Sequence, residues 1–162
     1  MDNDYAQDQK LPFKHIDFTN FSLVNFQVSL GVNKQSDIKN LEDLENKTVS
    51  VVENSFLEDI LRKNYPKIKL YTTKNSLEAI EAVASNKVDA VINNLSTIDY
   101  FINKNWLSNL KTIVIKDDNI ETVVPLHLGV KKDNLILKSI LEKAHQNISE
   151  KEIRNLVDKW LK

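Results

Sequence analysis

Strand-like and helix-like patterns alternate from Thr48 to Lys116, and this alternation restricts the fold more than any other feature of the chain. Thr48–Val52 is a run rich in β-branched residues, which are strong strand formers. A helical pattern follows over Phe56–Asn64, with Leu57, Ile60 and Leu61 on one side. Tyr65-Pro66 stops it, because proline cannot continue the hydrogen-bond ladder. Ile68–Thr72 reads as the next strand. Ser76 is placed as the cap of a helix carrying Leu77, Ile80, Val83 and Ala84 at 3/4 spacing. Val88–Ile92 is the short apolar run of a strand buried on both faces. Asn93-Asn94 breaks it, and helix 96–104 follows with Leu95, Ile98, Phe101 and Ile102 aligned. Lys111–Lys116 closes the series. A β-α-β-α-β-α-β order with connections of about two to five residues predicts a three-layer α/β fold. Its sheet is mostly parallel, with helices on both faces and right-handed crossovers.

The flanks are less regular. Residues 1–14 are polar and read as a flexible lead-in. His15–Thr19 is a short extended segment, 21–26 is irregular, and Gln27–Val32 is the first good strand. Asn40-Leu41-Glu42-Asp43 resembles a capping box opening a turn or two of helix. Val123–Val130 is the last strand. Two helices finish the chain. Asp133 is placed as the cap of the first, with Leu137, Ile140, Leu141, Ala144 and Ile148 inward. Ser149-x-x-Glu152 is a capping box for the second, whose apolar face is Ile153, Leu156, Val157, Trp160 and Leu161.

Composition removes several classes of function. Cysteine is absent, so disulfides and thiolate metal sites are excluded. Only Gly31 and Gly129 are present, both in strand-like runs, which rules out a P-loop or dinucleotide fingerprint. His15, His127 and His145 lie far apart with no metal-ligand spacing, and no GxSxG elbow occurs. No cofactor and no metal are expected. Net charge is −1 with lysine and glutamate interspersed. Nucleic acid and an anionic membrane surface are therefore disfavoured partners, since both need a concentrated basic face. No apolar run is long enough to span a bilayer, and the first residues lack signal-peptide order, so this chain is not expected to insert into a membrane.

With these residues in view, the ordered phrases DFTNF, LEDLENKTVSVVENS, LRKNYPKIKLY, SLEAIEAVASNKVDAVINN and PLHLGVKKDN resemble the bacterial family-3 solute-binding domain. This is the type II periplasmic-binding-protein, or Venus flytrap, fold. The resemblance covers about residue 15 to the end and is nearest to versions found in sensor histidine kinases. It implies a division into a lead-in (1–14), a crossover or hinge (15–23), the second lobe (24–131) and C-terminal helices (132–162) that pack on a first lobe. That first lobe, with the arginine that usually grips a ligand carboxylate, has no counterpart here, so the chain resembles a fragment.

Candidate ligand residues are Asn54, Ser55, Phe56, Asn94 and Phe21. Asn54 and Ser55 stand where a strand meets a helix N-terminus, whose free N–H groups and dipole favour an anionic group. The resemblance places the family's ligand-contacting turn on the same pair, with Asn54 replacing a glycine. Capping of the helix explains either residue equally well. Phe56 either stacks on a ligand or packs beneath the turn. Asn94 caps helix 96–104; the resemblance turns it toward the crevice, where transport-linked amino-acid binders carry an aspartate. Asn brings hydrogen bonds without charge, which argues against a standard α-amino acid. Phe18, Thr19 and Phe21 lie at the expected hinge, the aromatics serving as packing or as ligand wall. Asn93 is assigned to the turn, His127 to structure, and Asp89 to holding a strand end or neighbouring amide. Trp106 and Trp160 read as core or lobe-contact residues.

The resulting expectation is a non-catalytic lobe binding a polar or carboxylate-bearing small molecule, part of a larger extracytoplasmic sensor or transport receptor. Ligand would close two lobes about Phe18–Phe21 and Val130–Lys132. A dehydratase-type enzyme and a LysR-type effector domain are the alternatives on related folds. Without its first lobe the chain is expected to self-associate or to be marginally stable, through the stripe at Ile153, Leu156, Val157 and Trp160.

Overall fold

The computed structural model describes residues 13–117 and 120–161. The elements in order are β1 (Ile16–Asn33), β2 (Thr48–Val52), α1 (Phe56–Asn64), β3 (Lys69–Thr73), α2 (Ser76–Ala84), β4 (Ala90–Asn94), α3 (Leu95–Lys104), β5 (Leu110–Val114), β6 (Val123–Lys131), α4 (Leu135–Gln146) and α5 (Glu150–Leu161). Two compact units result. Among the described residues a sheet unit comprises 26–117, 120–124 and 159–161, and a helix–ribbon unit comprises 13–25 and 125–158; the expected lead-in up to residue 12 lies outside the described residues. Residues 15–23 and the greater part of β6 thus belong with α4.

In the sheet unit the strand order is β3-β2-β4-β1-β5. β2 pairs in parallel with both β3 and β4, as the β-α rhythm predicts. β1 lies antiparallel between β4 and β5, so β3, β2, β4 and β5 run one way and β1 alone runs the other. Four of these strands share a direction, but only the β2–β3 and β2–β4 pairings are parallel, so the sheet is mixed where the rhythm predicts a mostly parallel one; the reversed strand comes from outside the repeating pattern.

Alternate residues of the strands feed two cores. Val49, Val51, Ala90 and Ile92 share one cluster with Leu57, Ile60 and Leu61 of α1. Val91 points the other way, toward Ala79, Ile80 and Val83 of α2 and Ile98 of α3. One helix therefore covers one face and two cover the other. Gly31 is required by the second layer, since a Cβ there would lie 2.7 Å from Val91 Cγ1 and 3.1 Å from Ile98 Cγ2.

Several expectations change. β1 is one continuous strand, where the sequence suggested an extended segment, an irregular stretch at 21–26 and a separate strand. Its environment shifts along its length, half-exposed up to Gln27 and then buried from Val28 to Val32, so no single periodicity describes it. Asn75, not Ser76, caps α2, its side chain accepting from the Glu78 amide. Asn134, not Asp133, caps α4 by accepting from Leu137 N–H. The Asn40–Asp43 and Ser149–Glu152 boxes both form with reciprocal bonds.

The helix–ribbon unit sets β6 against the first half of β1, in opposite directions: Lys132 N–H donates to His15 C=O and Leu128 N–H to Thr19 Oγ1. The His127 ring is fixed through Nδ1 to the Thr19 carbonyl at 2.9 Å. α4 meets this ribbon with its polar side. Lys138 Nζ pairs with Asp17 at 2.8 Å, Glu142 accepts from Asn20 N–H, and His145 stacks on Phe21 at 3.8 Å. The positions expected inward are not buried: Leu137, Ile140, Ala144 and Ile148 are exposed and Leu141 is half-buried. The polar bonds have taken the face that touches β1. Leu156 of α5 is likewise exposed, while the side chains of Val157, Trp160 and Leu161 lie outside the described residues.

Candidate functional site

Because β2, β3 and β4 are parallel, their C-terminal ends meet at one edge, and each runs straight into a helix. Three helix N-termini converge there, preceded by Glu53-Asn54-Ser55, Lys74-Asn75 and Asn93-Asn94. α1 leaves toward one face of the sheet while α2 and α3 leave toward the other, so the gap between β2 and β4 is a topological switch point. Open α/β sheets place their ligands at such a point.

At the β2–α1 corner Asn54 has φ 57°, the left-handed region in which Asn stands in most easily for glycine. Ser55 is the N-cap. Its hydroxyl donates to Val52 C=O at 2.6 Å and accepts from Glu58 N–H at 3.3 Å. Glu58 returns the bond, Oε2 accepting from Asn54 N–H at 2.7 Å, while Oε1 takes Arg62 at 2.7 Å. The hydrogen bond from Arg62 holds the Glu58 carboxyl below its ordinary range; burial opposes this and the Asn54 amide reinforces it. The positive end of α1 is thus already met by a carboxylate of the protein. An anionic ligand group must displace Glu58 from Asn54, whereas a neutral group need not. Ser55-x-x-Glu58 is a capping-box signature, and that signal was available in the sequence.

At the β4–α3 corner Asn94 is the N-cap, accepting from Ser96 N–H at 3.0 Å. Asn93, assigned to a turn, instead lies within β4 and is buried. Its Nδ2 donates to Ser76 Oγ at 3.0 Å and its Oδ1 accepts from Asn94 N–H at 2.8 Å. This ties the starts of α2 and α3 together through one amide. Thr73, also buried, donates to the Asn75 carbonyl at 3.1 Å. Thr73 was not singled out by periodicity, nor was the bond between Ser76 and Asn93; polar residues at the ends of β3 and β4 were the available signal.

The remaining candidates separate. Phe56 packs edge-on against Phe26 at 5.3 Å and lies against the α1-side core, under the turn. Phe21 belongs to the helix–ribbon unit, with one ring face covered by His145. Asp89 accepts from Thr48 N–H at 2.8 Å, holding the strand end as expected. Trp106 is not a core residue; it is 89% exposed.

No protein-family model matches the chain. The virulence sensor protein BvgS of Bordetella pertussis is 29% identical over 119 residues, which is 74% of this chain and 9% of BvgS. BvgS of Bordetella bronchiseptica matches to the same extent. The crystal structure of the B. pertussis BvgS periplasmic VFT2 domain superposes with a TM-score of 0.74 at 25% identity, covering 90% of this chain and 61% of that one. The chain has the Venus flytrap solute-binding fold. A structure from work on glutathione import via GshT and TcyBC of Streptococcus mutans gives a TM-score of 0.79 at 23% identity, covering 94% and 65%. An ancestral arginine-binding protein bound to arginine gives 0.75 at 24%, covering 94% and 67%. The sequence is homologous to the BvgS periplasmic sensor region, spanning about a tenth of BvgS and about two thirds of the solved flytrap chains. Among the described residues no helix is long and apolar enough to cross a membrane.

Proposed function

We propose that this chain is a solute-binding lobe of a bacterial extracytoplasmic receptor, sensory or transport-linked, and that it is not catalytic. The carrying observation is the convergence of three helix N-termini at a switch point, with Asn54, Ser55 and Asn94 at its rim and Asn93 below. Homology to a periplasmic sensor region supports the sensory form and the periplasmic location. The groups at this edge suit a polar ligand of low charge. Asn94 offers both a donor and an acceptor, and Glu58 already neutralises the anion-seeking end of α1. Phe56 supports the turn, and Phe21 stiffens the ribbon by stacking.

The open apolar side of α4, with Leu135, Ile136, Leu137 and Ile140 exposed, is where we place the complementary lobe. That lobe corresponds to the third of the solved flytrap chains to which nothing here aligns. Ligand touching both lobes stabilises the closed state by its differential affinity for it. The test is titration calorimetry of this chain against neutral and zwitterionic amino acids and small amides. Weak binding is expected, selective for ligands without net charge, and abolished by Asn94→Ala. Nanomolar binding by this chain alone refutes the one-lobe reading, and tight binding that survives Asn94→Ala refutes the site.

A further inference from the structure

The end of the sheet opposite the candidate site carries a second feature. α3 ends in a Schellman motif: Leu107 N–H reaches Ile102 C=O at 3.0 Å and Trp106 N–H reaches Asn103 C=O at 3.4 Å. Trp106 therefore occupies the left-handed position after the C-cap, with φ 55°, where glycine is usual and a bulky side chain is strained. α2 ends in the same way, with Asn86 at φ 56°, a residue suited to that backbone. The strain at Trp106 gains no burial, since the indole is 89% exposed. Leu107, its neighbour, packs into the core instead.

The surrounding turns are tied to this one. Asn109 Nδ2 donates to Ala84 C=O at 3.0 Å, Lys34 N–H donates to Asn109 C=O at 2.8 Å, and Asn33 Nδ2 donates to Asn86 Oδ1 at 3.3 Å. Lysine is interspersed with acid along the chain as a whole; at this end Asp89, before β4, is held by Thr48 N–H, and two other segments carry lysine without acid. Residues 100–111 contain Lys104 and Lys111 and no Asp or Glu, and 30–36 add Lys34 in the same way. Lys104 Nζ bonds the hydroxyl of half-exposed Tyr100 at 2.7 Å, on the last turn of α3 before Trp106. Lys111 Nζ bonds the Ser36 carbonyl at 2.8 Å, fixing its charge at this end. An outward indole and phenol beside ammonium groups match a lipid headgroup layer, where amphipathic rings settle and anionic phosphates attract lysine.

We propose that this end of the sheet unit, with Trp106 at its tip and Lys34, Lys104 and Lys111 around it, docks on an anionic phospholipid surface. The contact is interfacial and needs no membrane-spanning segment. The proposal does not depend on the ligand reading, because it uses the other end of the sheet. The experiment is co-sedimentation with vesicles of phosphatidylethanolamine and phosphatidylglycerol, and in parallel with vesicles of phosphatidylcholine. The chain is expected to bind the anionic vesicles and to release as salt rises. Each Lys→Gln change at 34, 104 or 111 should weaken binding by about fivefold. Trp106→Gly relieves the backbone strain, so its melting temperature should stay level or rise while vesicle binding falls by about tenfold or more. Equal binding by Trp106→Gly, indifference to lipid charge, or no sedimentation with anionic vesicles overturns the proposal. So does a Trp106→Gly effect confined to self-association in light scattering, which assigns the indole to a protein partner.

Discussion

Replacing Gly31 with alanine tests how α3, and with it Asn94, is seated on the sheet. Gly31 pairs with Val91 of β4 on one side and Thr112 of β5 on the other, in the doubly paired final part of the reversed strand. A Cβ added there meets Val91 Cγ1 at 2.7 Å and Ile98 Cγ2 at 3.1 Å. Both partners are fully buried, so neither can swing into solvent. The first distance demands a real displacement and the second a shift of a few tenths of an ångström. Overpacking of this kind costs about 1–3 kcal/mol. For a chain of this size each kcal/mol lowers the melting temperature by about 2–4 °C, so a fall of roughly 2–12 °C is expected. Val91→Ala removes the methyl that clashes and leaves a cavity. In the double variant the new Cβ fills part of that cavity, so the two losses should not add; a favourable coupling of about 0.5–3 kcal/mol is expected. Urea unfolding of the four proteins, with m-values compared, gives the cycle. Strict additivity, or an unchanged midpoint for Gly31→Ala, refutes the close approach of α3 to β1.

The corner residues make further predictions. Glu58 is held below its ordinary value of 4.5 chiefly by the bond from Arg62. Its contribution to stability is therefore fully present above that ordinary value and is lost as pH falls through the lower folded-state value. Glu58→Gln should flatten this acid limb in melting experiments; an identical pH profile in both proteins counts against the Asn54–Glu58–Arg62 arrangement. Asn94→Ala should cost about 0.5–2 kcal/mol through loss of the cap, whereas Asn94→Asp keeps the cap and adds a charge favourable to the helix dipole. Asn94→Asp should thus melt at or above the parent temperature, and an equal loss in both variants rejects the capping role.

The sequence was informative wherever one environment persists over a whole element. β2 and α1 begin and end where composition and Pro66 place them, because each keeps one face against the same core along its whole length. β1 was misread since it passes from a half-exposed ribbon into the centre of the sheet. α4 was misread for a different reason: its periodicity identifies an apolar face, but periodicity cannot say that Lys138, Glu142 and His145 bind the ribbon first. Both mistaken caps are one residue off. At Asn75–Ser76 and Asp133–Asn134 two good capping residues adjoin, and only backbone geometry chooses between them. At the candidate site, helix N-termini and asparagines were visible from strand-to-helix order. The Glu58 carboxylate and the buried Asn93–Ser76 bond were not, because they depend on which strand ends are neighbours. Trp106 was read as a core or a lobe-contact residue; the left-handed backbone of the Schellman turn removes the first alternative by turning it outward.

The central position of β1 also governs the order in which the chain can mature. It is translated before the other strands, yet the strands that flank it, Ala90–Asn94 and Leu110–Val114, are made much later. Thr48–Asn94 can assemble as a local β-α-β-α-β unit while β1 waits without partners. A nascent chain halted before residue 90 would leave the apolar segment from Val28 to Val32 without either of its neighbouring strands. Such an intermediate makes this half of β1 the segment where a holdase would be expected to bind.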